Sequence, residues 1–138
     1  MTLNIQIAPG SKDPIYLQIE RQISLLIAKK KLLAGDRLPS VRNLANQLIL
    51  NPGTVSRAYS NLQKIGLIAP VTGAGTFVVD ISRKDLDKSG ITFLEENIDN
   101  TITDALNLGL TKSEIVEIFN TRLKNFSLDT NSNGADSK

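Results

Sequence analysis

The sequence predicts a mainly α fold that carries one small β-hairpin. Three observations predict it. Two short amphipathic helices are separated by a three-residue turn within residues 40–66. A glycine-tipped pair of apolar strands follows in residues 67–79. Two further amphipathic stretches fill residues 91–126.

The first helix opens at about Ser40, whose hydroxyl can accept from the free N–H groups of a helix start. Val41, Leu44, Ala45 and Leu48 then recur at the spacing of one helical face. Ile49-Leu50-Asn51 forms the turn. Asn51 is a strong N-cap, and Pro52 follows at the first helical position, where its missing N–H costs nothing. The second helix buries Val55, Ala58, Tyr59, Leu62 and Ile65 and stops at Gly66, a left-handed terminator. Its other face is Gly53, Thr54, Ser56, Arg57, Ser60 and Asn61. That face is polar and short-chained, and suits a helix reading base edges in a DNA major groove. Leu67-Ile68-Ala69 and Thr76-Phe77-Val78-Val79 are the two strands. Between them, Thr72-Gly73-Ala74-Gly75 makes a turn without bulk. Helix, turn, helix and hairpin in this order make a winged helix-turn-helix, with the wing placed to touch phosphates or the minor groove.

Upstream, Leu3, Ile5 and Ile7 alternate with polar residues and read as a short edge strand or a docked arm. Asp13 and Pro14 read as N-cap and first residue of a helix running to about Lys31. Ile15, Ile19, Ile23, Leu26 and Ile27 form its buried face. Lys29, Lys30 and Lys31 fall in its last turn, where cations favour the helix dipole. Residues 32–38 read as a loop.

Downstream, the charged residues 80–90 read as a connection. Ile91, Leu94, Ile98, Ile102, Ala105 and Leu108 (or Leu106) form one helical stripe, stopped by Gly109. Thr111-Lys112-Ser113-Glu114 is a capping box. It opens a helix with Ile115, Ile118, Phe119, Leu123 and Phe126 on one side. Residues 127–138 are polar and predicted to be disordered. Two such helices cannot bury both stripes against each other and stand alone. They either fold back on the winged domain or pack on a second copy. The contrast of a basic head with an acidic tail favours the second, and makes Ile91, Leu94, Ile98, Ile102, Ile115, Ile118, Phe119 and Leu123 candidate homodimer contacts. The expected domains are residues 1–80, a connection at 81–90, helices at 91–126 and a tail at 127–138.

Composition narrows the function. Cysteine and histidine are absent, so no disulfide, zinc finger or histidine metal cluster is possible. No Ser/His/Asp set, phosphate-binding loop, zincin motif or dinucleotide glycine pattern occurs. No catalytic residue, cofactor or metal site is expected. No long apolar run or signal peptide is evident, so a cytoplasmic protein without a membrane partner is expected. The first 80 residues carry nine Lys/Arg against four Asp/Glu, and the remaining 58 carry seven against ten. A basic head and an acidic tail fit a head that meets nucleic acid.

The stretch from residue 10 to 80 resembles the GntR family of bacterial transcription regulators. The resemblance is carried by Pro14-Ile15-Tyr16-Leu17-Gln18-Ile19 and by Ala34-Gly35-Asp36-Arg37-Leu38-Pro39-Ser40-Val41-Arg42. It continues through Thr54-Val55-Ser56-Arg57-Ala58-Tyr59, Leu62, Gly66-Leu67-Ile68 and Gly73-Ala74-Gly75-Thr76-Phe77-Val78. Asn51-Pro52-Gly53-Thr54-Val55 and the short C-terminal part look like the YtrA subfamily.

The resemblance implies a repressor that binds an inverted-repeat operator in double-stranded DNA as a homodimer, near its own gene and an ABC-type transporter operon. It implies DNA contact by Arg42. The full candidate surface is Ser40, Arg42, Asn51, Gly53, Thr54, Ser56, Arg57, Tyr59, Thr72, Gly73, Ala74 and Gly75. Relatives often have arginine where Ser56 stands, a basic or polar residue at Pro52, and arginine or lysine at Ala74. Ser56 and Pro52 shift the expected base readout toward Arg42, Arg57 and backbone groups, and Ala74 gives a wing that adds less electrostatic affinity. Tyr59 divides between core packing and a phosphate contact, while Tyr16 and Gln18 look structural. The C-terminal part is too short to enclose a drug-sized cavity, so any small-molecule effector would bind between subunits or between helices and head. A winged helix that binds protein instead of DNA is the other reading.

Overall fold

The computed structural model describes residues 3–80 and 88–136. Its contacts divide into two units, Met1–Ile81 and Ser82–Lys138. The described elements are helix α1 (Ile15–Ala28), strand β1 (Arg37–Leu38), helices α2 (Val41–Leu48) and α3 (Pro52–Lys64), strands β2 (Ile68–Val71) and β3 (Gly75–Val78), and helices α4 (Lys88–Asn107) and α5 (Lys112–Asp136).

In the first unit the apolar faces of α1, α2 and α3 converge. Ile19, Ile23, Leu44, Val55, Ala58 and Leu62 are sealed from solvent and meet Leu32, Leu38, Ile68 and Val78 from the loop and strands. The caps form as the sequence predicts. Ser40 Oγ accepts from the Asn43 N–H at 3.0 Å, and Asn51 Oδ1 accepts from the Gly53 N–H at 2.7 Å. Gly66 terminates α3 with φ +84°. Its N–H bonds the Gln63 carbonyl and the Leu67 N–H bonds the Leu62 carbonyl, a closed helix end.

Several expectations are corrected. Of the two readings of the N-terminal segment, the docked arm forms and the edge strand does not. Leu3 and Ile5 are buried in the core, and glutamine side chains satisfy the arm's backbone. Gln22 donates to Gln6 O at 2.7 Å and accepts from its N–H at 3.0 Å. Gln18 does the same at Ala8, and Gln47 of α2 donates to Leu3 O. Side-chain amides here replace a neighbouring strand.

Pro14, not Asp13, caps α1, and no side chain bonds the free N–H groups there. The Asp13 carboxylate instead pairs with Arg21 at 3.1 Å. The helix stops at Ala28, and Lys30 takes a left-handed φ of +63°. The lysine run therefore lies past the last turn.

The loop before α2 contains β1, so the hairpin is part of a three-stranded antiparallel sheet in the order β1-β3-β2. Arg37 pairs with Phe77 and Leu38 with Thr76. Two residues carry no visible alternation, so this strand had no sequence signal. Ile65 lies past the end of α3 and is 65% exposed, not buried.

In the second unit, Lys88 to Gly90 belong to α4 rather than to the expected connection, whose residues 81–87 lie outside the described residues. Gly109, at φ +91°, ends α4 as expected. The capping box forms in both directions: Thr111 Oγ1 accepts from the Glu114 N–H at 3.2 Å, and Glu114 Oε1 accepts from the Thr111 N–H at 2.8 Å. Helix α5 continues to Asp136, where the sequence suggests a disordered tail. Extending an existing helix adds one bond per residue without a new nucleation cost, and no proline interrupts this stretch.

Candidate nucleic-acid interface

The register of α3 divides its residues cleanly. Val55, Ala58, Tyr59 and Leu62 face the core, which turns Ser56, Arg57 and Ser60 outward. Thr54 is half-buried, and its N–H bonds the Asn51 carbonyl at 3.0 Å. Gly53 serves the cap: a Cβ there would sit 3.1 Å from Asn51 Oδ1. On α2, Arg42 is exposed and has no ion pair among the described residues.

Arg57 does not wave in solvent. Its Cζ lies 3.8 Å above the centre of the Tyr16 ring on α1. A guanidinium over an aromatic face is held by the ring quadrupole, worth about 0.5–1 kcal/mol when exposed. Tyr16 thus positions the cation of the outward face of α3. From the sequence Tyr16 looks merely structural, because its partner lies on a helix far along the chain, where no local spacing could reveal it. Gln18 is structural, as expected, through its clamp on Ala8.

Tyr59 is corrected. It is 3% exposed, and its hydroxyl donates to the Pro39 carbonyl at 2.7 Å. Burial pushes that hydroxyl well above its usual range. Both its ring and its hydroxyl are engaged inside the domain, so it is no DNA contact.

The wing presents Thr72, Gly73 and Ala74 to solvent, with Gly75 half-buried at its base. The Ala74 N–H closes the turn onto Val71 O at 2.9 Å. No cation stands at the tip. Ser40, at the start of α2, is exposed and engaged in its cap.

In the second unit, Ile91, Leu94, Ile98, Ile118, Phe119 and Leu123 are each 36–59% exposed. Ile102 and Ile115 are half-buried and line a groove of about 430 Å³ with Leu106, Lys112 and Val116. Phe93 and Val116, which the stripe did not include, are also exposed. Among the described residues no helix is long and apolar enough to cross a membrane.

Three helices, a cation-bearing outward face on the third, and a glycine-tipped wing define a winged helix-turn-helix protein. Residues 15–78 match the bacterial regulatory proteins of the gntR family. The chain is 39% identical over 113 residues to the HTH-type transcriptional repressor YtrA of Bacillus subtilis (strain 168), covering 82% of this chain and 87% of that protein. Its fold is similar to a transcriptional antiterminator from Listeria monocytogenes EGD-e, with TM-score 0.82 and 29% identity, over 90% of this chain and 92% of the other. It is also similar to YtrA from Sulfolobus acidocaldarius, a GntR-family transcription factor, with TM-score 0.59 and 37% identity, over 72% of this chain and 97% of the other. The chain belongs to the gntR family of bacterial transcriptional regulators, on its YtrA-like branch.

Proposed function

We propose that the protein is a sequence-specific repressor that binds an inverted-repeat operator in double-stranded DNA as a homodimer. The observation that carries this reading is the outward face of α3. Ser56, Arg57 and Ser60 stand exposed together; Arg57 stacks on Tyr16 and makes no ion pair among the described residues. Arg42 on α2 adds a second exposed guanidinium to the same motif. Residues 1–80 form the DNA-binding part. Arg42 and Arg57 contact the operator, while Asn51, Gly53 and Thr54 build the start of the reading helix and Gly73 to Gly75 keep the wing slim.

The apolar stripes of α4 and α5 support the dimer. Leu94, Ile118 and Leu123 are about half exposed, a state that a second copy would relieve. Two heads on two half-sites add their contacts. A small-molecule effector, if one acts, binds between subunits, where it changes the spacing of the two heads. The repressor role agrees with the name of the Bacillus relative. The lack of cysteine fits action in a reducing cytoplasm, and the family resemblance supports a neighbouring ABC-type transporter operon as the target.

The test is gel-shift titration of the full chain against random and palindromic duplexes at several salt concentrations. Counterion release predicts a slope of log K against log salt of about −4 to −8 for the dimer. Failure to retain any duplex would leave the winged helix as a protein-binding module.

A further inference from the structure

Arg37 makes a contact that the outward face of α3 does not explain. It lies exposed on β1, at the edge of the sheet opposite β2. Its guanidinium rests on the backbone of Gly75. A Cβ built at Gly75 would lie 2.8 Å from Arg37 Nε and 3.4 Å from Nη2. Gly75 also has φ +125°, a conformation that side-chain-bearing residues rarely adopt. Backbone conformation and the arginine's path both call for glycine at this one position.

Among the described residues Arg37 makes no ion pair; the Arg21–Asp13 bridge involves other groups. Arg37 instead lines a crevice of about 150 Å³ with Leu38, Pro39, Ser40 and Asn43. Ser40 Oγ accepts from the Asn43 N–H, which leaves the hydroxyl hydrogen free to donate. The Asn43 side-chain amide is exposed and makes no hydrogen bond among the described residues. One cation and two neutral donors, with no acidic residue lining the crevice, suit a singly charged tetrahedral oxyanion. The wing tip beside it, Thr72-Gly73-Ala74, carries no charge of its own.

We propose that Arg37, with Ser40 and Asn43, clamps a phosphodiester of the DNA backbone beside the wing. The inference rests on the DNA-binding reading above. A phosphate contact of this kind fixes the register of the protein on the duplex and carries no sequence information. Arg37 supplies from β1 the charge that Ala74 does not supply at the wing tip. Arginine is suited to this role because its planar fork can bond two phosphate oxygens at once.

The experiment uses the full chain, one duplex enriched from random sequence by the wild type, and one unrelated duplex, titrated at several salt concentrations. Arg37→Ala should weaken both duplexes by the same factor, about three- to tenfold, and flatten the salt slope by about 0.9 per phosphate, or roughly 1.8 for a dimer. Arg37→Lys should keep the slope and lose part of the affinity. Asn43→Ala, on an exposed helical position, should weaken both duplexes severalfold without changing the slope, which tests the crevice even if Arg37→Ala disturbs β1.

Wild-type affinity and slope in Arg37→Ala, alongside a clear loss in Arg42→Ala, would overturn the clamp and leave the DNA reading standing. A changed base preference in Arg37→Ala would overturn it in favour of groove insertion. A wild-type chain that binds neither duplex removes the DNA-binding reading and the clamp together.

Discussion

The stack of Arg57 on Tyr16 makes a quantitative prediction about DNA binding. A free arginine must be ordered when it meets the operator, at a cost of about 0.5–1.5 kcal/mol for a rotamer-rich side chain. The ring holds Arg57 at 3.8 Å in the unbound protein, so much of that ordering is already complete. Tyr16→Leu keeps most of the apolar packing of this half-buried position and removes the ring face. It should weaken operator binding by about 0.5–1.5 kcal/mol per half-site, or roughly 1–3 kcal/mol for a dimer on two half-sites. Tyr16→Phe keeps the face and should bind like wild type. Arg57→Ala should cost more, about 1–3 kcal/mol per half-site if the arginine forks onto a base.

The decisive assay is a double-mutant cycle by fluorescence anisotropy on one operator duplex, with thermal melts to confirm that each variant folds. In the Arg57→Ala background, Tyr16→Leu should have no further effect. A loss of equal size in both backgrounds would mean that Tyr16 acts on DNA directly. Tighter binding by Tyr16→Leu would mean that the stack holds Arg57 away from DNA. Either result refutes the positioning argument.

Three further outcomes are expected. Ile49 is 90% exposed and left-handed at φ +56°, a strain of about 1–2 kcal/mol for a side-chain-bearing residue. Ile49→Gly should relieve it, less the roughly 0.5–1 kcal/mol entropic cost of glycine, and raise the melting temperature; a lower one would mean that the isoleucine packs in solution. Tyr59→Phe leaves the buried Pro39 carbonyl without its donor and should cost about 1–3 kcal/mol in urea unfolding while leaving operator affinity intact; a selective loss of affinity would return Tyr59 to the DNA surface. Removing residues 88–138 should give a monomer by sedimentation velocity, and a truncated chain that still sediments as a dimer would place the interface elsewhere.

The local devices of this fold are legible in the sequence. Ser40, Asn51-Pro52 and the Thr111–Glu114 box announce helix starts because each satisfies free N–H groups within three residues. Gly66 and Gly109 announce helix ends because glycine tolerates positive φ. The apolar stripes of α2 and α3 announce a buried face through periodicity alone. Lys30 and Ile49 end their helices in the same left-handed conformation without a glycine, and α1 therefore stops short of the expected lysine run.

The tertiary structure alone decided what depends on contacts between distant segments. Such contacts leave no period in the chain. A two-residue strand exists only because β3 offers Arg37 and Leu38 its free edge. The N-terminal arm has strand-like alternation, but Gln18, Gln22 and Gln47 take its backbone groups and no neighbouring strand is needed. Tyr59 is claimed by a carbonyl on the loop before α2. Tyr16 under Arg57 and Arg37 over Gly75 join residues far apart in sequence. The sequence determined which helix would turn a polar face outward. Only the packing of α1 and β1 around that helix and its wing decided which side chains hold the charges in place, because placing a long cation depends on its neighbours in space rather than its neighbours along the chain.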